Sequence, residues 1–211
     1  MVPFPGPPID SRTMHIQQKV EQLFDSGEYR RARFIYENEL APLGDKYAQY
    51  MIGYIHLTGA GVQEDPALAA AWYRLAAERG NSQFVAIRDQ LLDGMTEFDR
   101  GRTDALFLDL RRKFSDAAIV LDLIKDDLAS MTMRTGSRIS TATGPVTIVD
   151  PRSGRSLSAD DFERQVSRRI EARALFLVRK LDIRNFDINI SRLDIDALED
   201  QVKKYLSELP E

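Results

Sequence analysis

Residues 45–80 and the residues before them repeat one pattern at an interval of 36 positions. Shifting the chain by 36 residues aligns Gly44 with Gly80 and Tyr36 with Trp72. A period of about 34 to 40 residues with helical patterning is typical of stacked helix pairs, because each pair buries its apolar face only against its neighbours. This repeat restricts the fold of the chain more than any other feature.

The clearest unit carries helix start and stop signals at the positions that a helix pair requires. Asp65 is a predicted N-cap, and the helix that begins after Asp65 is predicted to end at Gly80. Between them, apolar residues recur at intervals of three and four, which predicts one buried helix face. Lys46 to Thr58 is the predicted partner helix. Gly53 in its middle predicts a close approach of the neighbouring helix, because a mid-helix glycine is otherwise destabilising.

This unit resembles the Sel-one-like repeat, a bacterial and eukaryotic relative of the tetratricopeptide repeat. The residues that define the resemblance are Ala48, Gly53, Gly59, Gly61, Asp65, Trp72, Tyr73, Ala76, Ala77 and Gly80. The preceding unit, about 14–44, is more similar to a plain tetratricopeptide pair. The following unit, about 82–115, lacks the Trp–Tyr pair and the Gly-x-Gly-Val turn, as a terminal, capping repeat would.

The resemblance implies a non-catalytic scaffold that binds another protein or a peptide on the concave face of its helix array. On the first helix of the clear unit, Tyr47, Tyr50 and Tyr54 lie at i, i+3 and i+7 and form one stripe. Tyrosine is enriched at binding surfaces because it combines a large apolar ring with a hydrogen-bonding tip. The alternative, which the pattern favours, is that the stripe packs against the preceding helix pair.

The residue types needed for catalysis are scarce. The absence of Cys excludes disulfides, thiolate metal sites and Cys nucleophiles. The two histidines are His15 and His56, and His56 is predicted to be an aromatic core residue. There is no Gly-rich phosphate loop and no nucleophile elbow. We therefore expect no enzyme activity, no cofactor and no metal; a pair of glycosidase-type carboxylates stays open, because their separation is spatial.

Composition divides the chain into four segments. They are a Pro-rich extended tail at 1–12, a helix-pair repeat domain at 13–131, a segment rich in Ser, Thr, Gly and Arg at 132–158, and a C-terminal helical element at 159–211. In the third segment, Val146–Val149 and Arg155–Leu157 flank a turn and predict a short β-hairpin. The predicted fold is all-α: an α/α superhelical repeat with a short β-hairpin insertion and C-terminal helices.

Positive charge is concentrated in one part of the chain. The net charge is −4, but residues 129–181 carry ten basic and five acidic side chains. One interpretation is an anionic partner or nucleic acid held by arginines of the 134–173 region. These are Arg134, Arg138, Arg152, Arg155, Arg164, Arg168, Arg169 and Arg173. The other, which we favour, is internal pairing of the last four with the acidic final helix, about 194–209, so nucleic acid is not the expected partner.

A second acidic group lies on the helix predicted from Ser115 to Met131. Asp122, Asp126 and Asp127 fall on its predicted polar side. Their offsets fit no cation-binding loop, so a solvated face is the favoured interpretation.

The N-terminus has neither the basic nor the apolar region of a signal peptide. A Pro-rich start without Cys favours a mature chain of the bacterial periplasm or cell envelope over a cytoplasmic one, and the cytoplasmic alternative stays open.

The longest apolar run, Ala67–Tyr73, is far shorter than the roughly 20 residues of a membrane span, so no membrane span is predicted. A homo-oligomer formed through the terminal helices is a further expectation.

Overall fold

A computed structural model describes residues 3–135, 147–149, 156–184 and 186–210. The secondary structure of this part is almost entirely helical. The helices are α1 Ser11–Asp25, α2 Tyr29–Ile35, α3 Lys46–Thr58, α4 Pro66–Ala76, α5 Ser82–Asp93, α6 Glu97–Phe114, α7 Asp116–Thr135, α8 Ala159–Lys180 and α9 Ile195–Ser207. No helix in these ranges is long and apolar enough to cross a membrane.

Two short strands form the only sheet within the described ranges. β1, Thr147–Val149, pairs antiparallel with β2, Ser156–Ser158, and Ile148 lies opposite Leu157. The predicted turn at 150–154, and Val146 and Arg155 of the predicted strands, are outside the described residues. The prediction of an all-α repeat fold with a short β-hairpin is confirmed.

The chain forms two compact bodies. The first, which we call the repeat body, comprises Ile9–Ile119 and Lys203–Glu211. The other, which we call the second body, comprises Met1–Pro8 and Val120–Val202. The four-segment division drawn from composition stays a prediction.

Helices α3 and α4 form the most closely packed pair of the repeat body. A Cβ atom on Gly53 would lie 3.2 Å from the backbone oxygen of Ala69 and 3.2 Å from the ring of Tyr73. Any larger side chain would push the two helices apart, so the predicted role of Gly53 in close approach is confirmed.

Both helices of this pair are capped, and the cap of α4 is the predicted Asp65. Asp65 caps α4 by accepting a hydrogen bond from the backbone N–H of Leu68 at 3.0 Å. Asp45 caps α3 in the same way through the N–H groups of Tyr47 and Ala48, at 2.9 and 3.0 Å. These side chains satisfy donors that the first helical turn leaves unpaired, which fixes both helix starts.

Helix α5 departs from the repeat. It has no buried residue, and α6 packs along α4 rather than along α5. The 36-residue shift places Asp89 at the position of Gly53, and Asp89 is exposed. Asp89 lies 2.7 Å from Arg88. A charged side chain at this position stays in solvent instead of entering a dry helix–helix contact, which agrees with the looser packing of α5.

A buried ion cluster joins three elements of the repeat body. Lys46 of α3 lies 2.7 Å from Glu78, in the turn after α4, and 3.1 Å from Asp116 of α7. Arg79 adds a contact of 2.8 Å to Asp116, whose exposed fraction is 1%. The charges compensate one another inside the protein, as buried charges must.

The second body has an apolar core drawn from its three helices. Its buried side chains include Val120, Ile124, Phe162, Val166, Ile170, Leu177, Leu198 and Val202. Ser158 caps α8 by accepting a hydrogen bond from the N–H of Asp161 at 3.1 Å. The cap and the apolar stripe of α8 are both local features of the sequence.

Candidate binding surface

The three predicted tyrosines of α3 differ in exposure. Tyr47 is 46% exposed and Tyr54 is 38% exposed, whereas Tyr50 is partly buried. The rings of Tyr47 and Tyr50 stack at a centroid distance of 6.2 Å. Tyr50 also packs 5.3 Å from Tyr73 and 4.9 Å from Phe84 of α5. Tyr50 therefore follows the packing interpretation, while Tyr47 and Tyr54 keep ring surface in contact with solvent.

Tyr54 faces the preceding helix pair. Its ring lies 5.9 Å from that of Phe24 on α1, and Phe24 lies 5.1 Å from Tyr29 on α2. Rings therefore extend from α1 across α3 to α5. We call this surface the aromatic band and define it as Phe24, Tyr47, Tyr50, Tyr54 and Phe84.

A carboxylate orients one end of the aromatic band. Glu21 of α1 accepts a hydrogen bond from the Tyr36 hydroxyl at 2.8 Å and lies 3.5 Å from the Tyr47 hydroxyl. Burial, with the nearby Glu21 charge, raises the pKa of Tyr47. The Tyr47 hydroxyl therefore stays protonated at neutral pH and keeps its capacity to donate a hydrogen bond.

His56 lies in a setting that suits a neutral ring. Its Nδ1 atom is buried and has no hydrogen-bond partner within the described residues. Burial, assisted by the charge of Arg33, lowers the pKa of His56. Within the described ranges, no group of three or more His, Asp or Glu side chains is arranged to hold a metal ion. The partial burial of the ring agrees with a packing role for His56.

The predicted arginines of α8 are largely engaged with acidic side chains. Arg169 lies 3.1 Å from Asp127 of α7, and Arg173 pairs with the same carboxylate. Arg164 pairs with Asp161 one turn earlier. Arg168 is exposed and lines an open pocket of about 400 Å³ that also contains two acidic residues.

These contacts correct the predicted internal pairing. The acidic group that faces Arg169 and Arg173 comes from α7, whereas Glu199 of α9 pairs with Lys125 at 2.6 Å. The prediction that Asp127 lies on a solvated face is wrong, since Asp127 is 1% exposed. The side chains of the other predicted arginines lie outside the part of the chain that the structure describes. These are Arg134, Arg138, Arg152 and Arg155.

The sequence did hold a signal for this buried pair. Asp127 follows Ile124 by three residues and Val120 by seven, which places it within the apolar stripe of α7. Arg173 occupies the same kind of position between Ile170 and Leu177. One acidic and one basic residue, each inside an apolar stripe, indicate a buried ion pair between two helices.

Comparison with known proteins supports the repeat assignment. Residues 46–81 match the family model of the Sel1 repeat, the Sel-one-like repeat of the sequence analysis. The match covers α3, α4 and the turn after them, and the predicted resemblance is confirmed over this unit. No solved structure matches the chain. Sel1 repeats are generally protein–protein interaction modules. The chain therefore contains a Sel1 repeat, formed by α3 and α4.

Proposed function

We propose that the protein is a non-catalytic binding module that holds a partner protein or peptide on the aromatic band. The observation that carries the proposal is the exposure of Tyr47 and Tyr54 on the helix that opens the Sel1 repeat. Large side chains left in solvent on a repeat scaffold supply contact area with few rotatable bonds. The face of α1, α3 and α5 serves as the concave surface in this proposal.

The chemistry of the band suits an apolar segment, extended or helical. The rings offer apolar faces, and the neutral hydroxyl of Tyr47 offers a polar contact beside them. Helical repeats bind such segments along the first helices of successive pairs. The binding part of the chain in this proposal is the predicted repeat domain, 13–131.

The anionic-partner alternative finds less support. Asp127 lies against both Arg169 and Arg173, and Asp161 pairs with Arg164. Arginines that already lie against carboxylates attract phosphate or nucleic acid less strongly than unpaired ones. Salt distinguishes the two candidates, because phosphate-driven binding weakens steeply with ionic strength and contact with neutral rings does not.

The proposal is tested by affinity capture from a lysate of the native cells. The wild-type chain is compared with a variant carrying Tyr47→Ala and Tyr54→Ala, which leaves the packed Tyr50 in place. Phe98→Ala is the matched control, because Phe98 is 83% exposed on α6 and lies outside the aromatic band.

We expect the wild type and the Phe98→Ala control to retain the same partner, and the double variant to lose it. Retention should persist when salt is raised during washing. Equal capture by all three proteins, or loss of the partner on mild salt washing, would contradict binding through the tyrosines.

A further inference from the structure

The N-terminal segment of the chain lies against α8 in the second body. The ring of Phe4 makes an edge-to-face contact with Phe176, with a centroid distance of 6.1 Å and an interplanar angle of 74°. Phe176 is 6% exposed, and Lys180 lies 5.7 Å from its ring. This aromatic pair anchors a segment that has no helix or strand of its own.

A buried arginine donates a hydrogen bond to the backbone of the same segment. The Nε–H of Arg173 donates a hydrogen bond to the carbonyl oxygen of Pro5 at 3.2 Å. Arg173 is 2% exposed, and its Nη1 also donates to the carbonyl oxygen of Leu123 at 3.3 Å and to the Asp127 carboxylate. Two contacts within the helices therefore hold the guanidinium in place independently of the segment.

The chemistry of these groups fits a proline-rich ligand. Proline has no N–H, so a proline-rich segment presents carbonyl oxygens as its backbone hydrogen-bonding groups. A fixed arginine donor beside an aromatic ring matches those carbonyls and the flat apolar surface of such a segment. Prolines also restrict the free segment, which lowers the entropy lost on binding.

The segment is shaped to place its aromatic ring. A Cβ atom on Gly6 would overlap the ring of Phe4, so glycine at this position lets the ring fold back over the backbone. Pro3 and Pro8 are exposed, as is Ile9 at 69%. Residues 4–7 are partly buried between these exposed flanks, and Phe4 and Pro5 make the ring contact and the hydrogen bond to α8.

We propose that Phe176 and Arg173 form a recognition site for a proline-rich segment bearing an aromatic residue, and that residues 3–8 occupy it in cis. A partner protein's segment of this chemistry competes with them. Because Asp127 and Leu123 hold Arg173 independently, the site persists when the segment leaves. A tethered segment has an effective concentration of about millimolar. The identical segment of a second copy lacks this advantage, so it competes poorly. A partner segment that binds more tightly displaces the tethered one.

The test measures binding of a labelled peptide with the sequence of residues 3–10 to the full chain by fluorescence anisotropy. The proteins are the wild type, Phe4→Ala and Gly6→Ala, which both release the cis segment, and Ile9→Ala as the matched exposed control. If the cis segment fills the site about nine-tenths of the time, releasing it tightens peptide binding about tenfold.

We expect that gain for Phe4→Ala and Gly6→Ala, wild-type affinity for Ile9→Ala, and no binding of a peptide carrying the Phe4→Ala change. Equal affinity for all four proteins, or equal binding of the altered peptide, would overturn the site. A concentration-dependent dimer of the wild type in light scattering would overturn the choice of a partner over a second copy. None of these variants touches the aromatic band, so this result is independent of the proposed function.

Discussion

At the scale of single residues, Gly53 decides how closely the Sel1 helix pair packs. Its missing side chain lets the ring of Tyr73 and the backbone of Ala69 lie 3.2 Å from where a Cβ would stand. No rotamer of a larger residue avoids a backbone atom at that distance, because the obstacle cannot rotate away.

Gly53→Leu is therefore expected to destabilise the protein by about 1–3 kcal/mol, measured as a lower midpoint in denaturant unfolding. Gly101→Ala is the matched control. Gly101 lies within α6 with no atom near its Cβ position, so alanine there should stabilise the helix by up to about 1 kcal/mol. An unchanged midpoint for Gly53→Leu would refute the close-approach role.

Asp127 is the second residue on which stability depends. It compensates Arg173, and the side chains of Asp127 and Arg173 are 2% and 3% exposed. Asp127→Asn leaves the Arg173 charge buried without its counter-charge, which should cost about 3–5 kcal/mol. Asp126→Asn, on the exposed side of the same helix, is the control and should stay within about 0.5 kcal/mol of the wild type. Similar unfolding midpoints for the two variants would contradict the buried pair.

His56 gives the stability of the protein a pH dependence of known sign. Burial lowers its pKa in the folded protein below the ordinary value of 6.5, so the unfolded chain binds the proton more readily. Stability should therefore fall as the pH drops through about 6.5 toward the folded pKa. Nearby Arg33 adds to this lowering, while Glu37 and Asp65 oppose it.

The measurement is the melting temperature between pH 7.5 and 5.5 for the wild type and His56→Phe, which keeps an aromatic ring and removes the titrating group. The variant should lose less stability than the wild type over this interval. Equal slopes for the two proteins would show that His56 does not titrate differently in the folded and unfolded states.

At the scale of elements, local signals in the sequence predicted the helix pair well. Asp65 was predicted as a cap because a capping residue bonds to N–H groups two or three positions along the chain. The spacing of apolar residues at three and four positions predicted the buried face of α4, because residues at that spacing lie on one side of a helix. Such signals need no knowledge of the rest of the fold.

Long-range partners were beyond this kind of prediction. Asp127 and Arg173 are 46 positions apart, and Phe4 contacts a ring on α8 more than 170 residues later in the chain. Assigning Asp127 to the polar side of α7 gave its charge more weight than its position in the apolar stripe. The aromatic band was found only as a stripe on α3, since Phe24 and Phe84 join it from other helices.

Helix α5 carries a prediction at this scale. Because none of its residues is buried, its hydrogen bonds should open more often than those of the packed α3–α4 pair. Amide hydrogen exchange should therefore be at least about tenfold faster across α5 than across the centre of α3 and α4. Equal protection of the three helices would show that α5 is covered in solution.

At the scale of the whole molecule, the chain combines a confirmed Sel1 repeat with two proposed binding surfaces. The aromatic band belongs to the repeat body, and the proline-segment site belongs to the second body. Each is built from side chains held by packing or by compensating charges, which pre-organises it for a partner.

Partner binding on the aromatic band is tested most directly by placing a photoreactive phenylalanine analogue at single positions of the full chain in its native cells. We expect the analogue at Tyr47 or Tyr54 to crosslink a partner protein and the analogue at Phe98, which is more exposed, not to do so. Crosslinking of the same partner from Phe98 alone, or equally from all three positions, would contradict binding on the aromatic band.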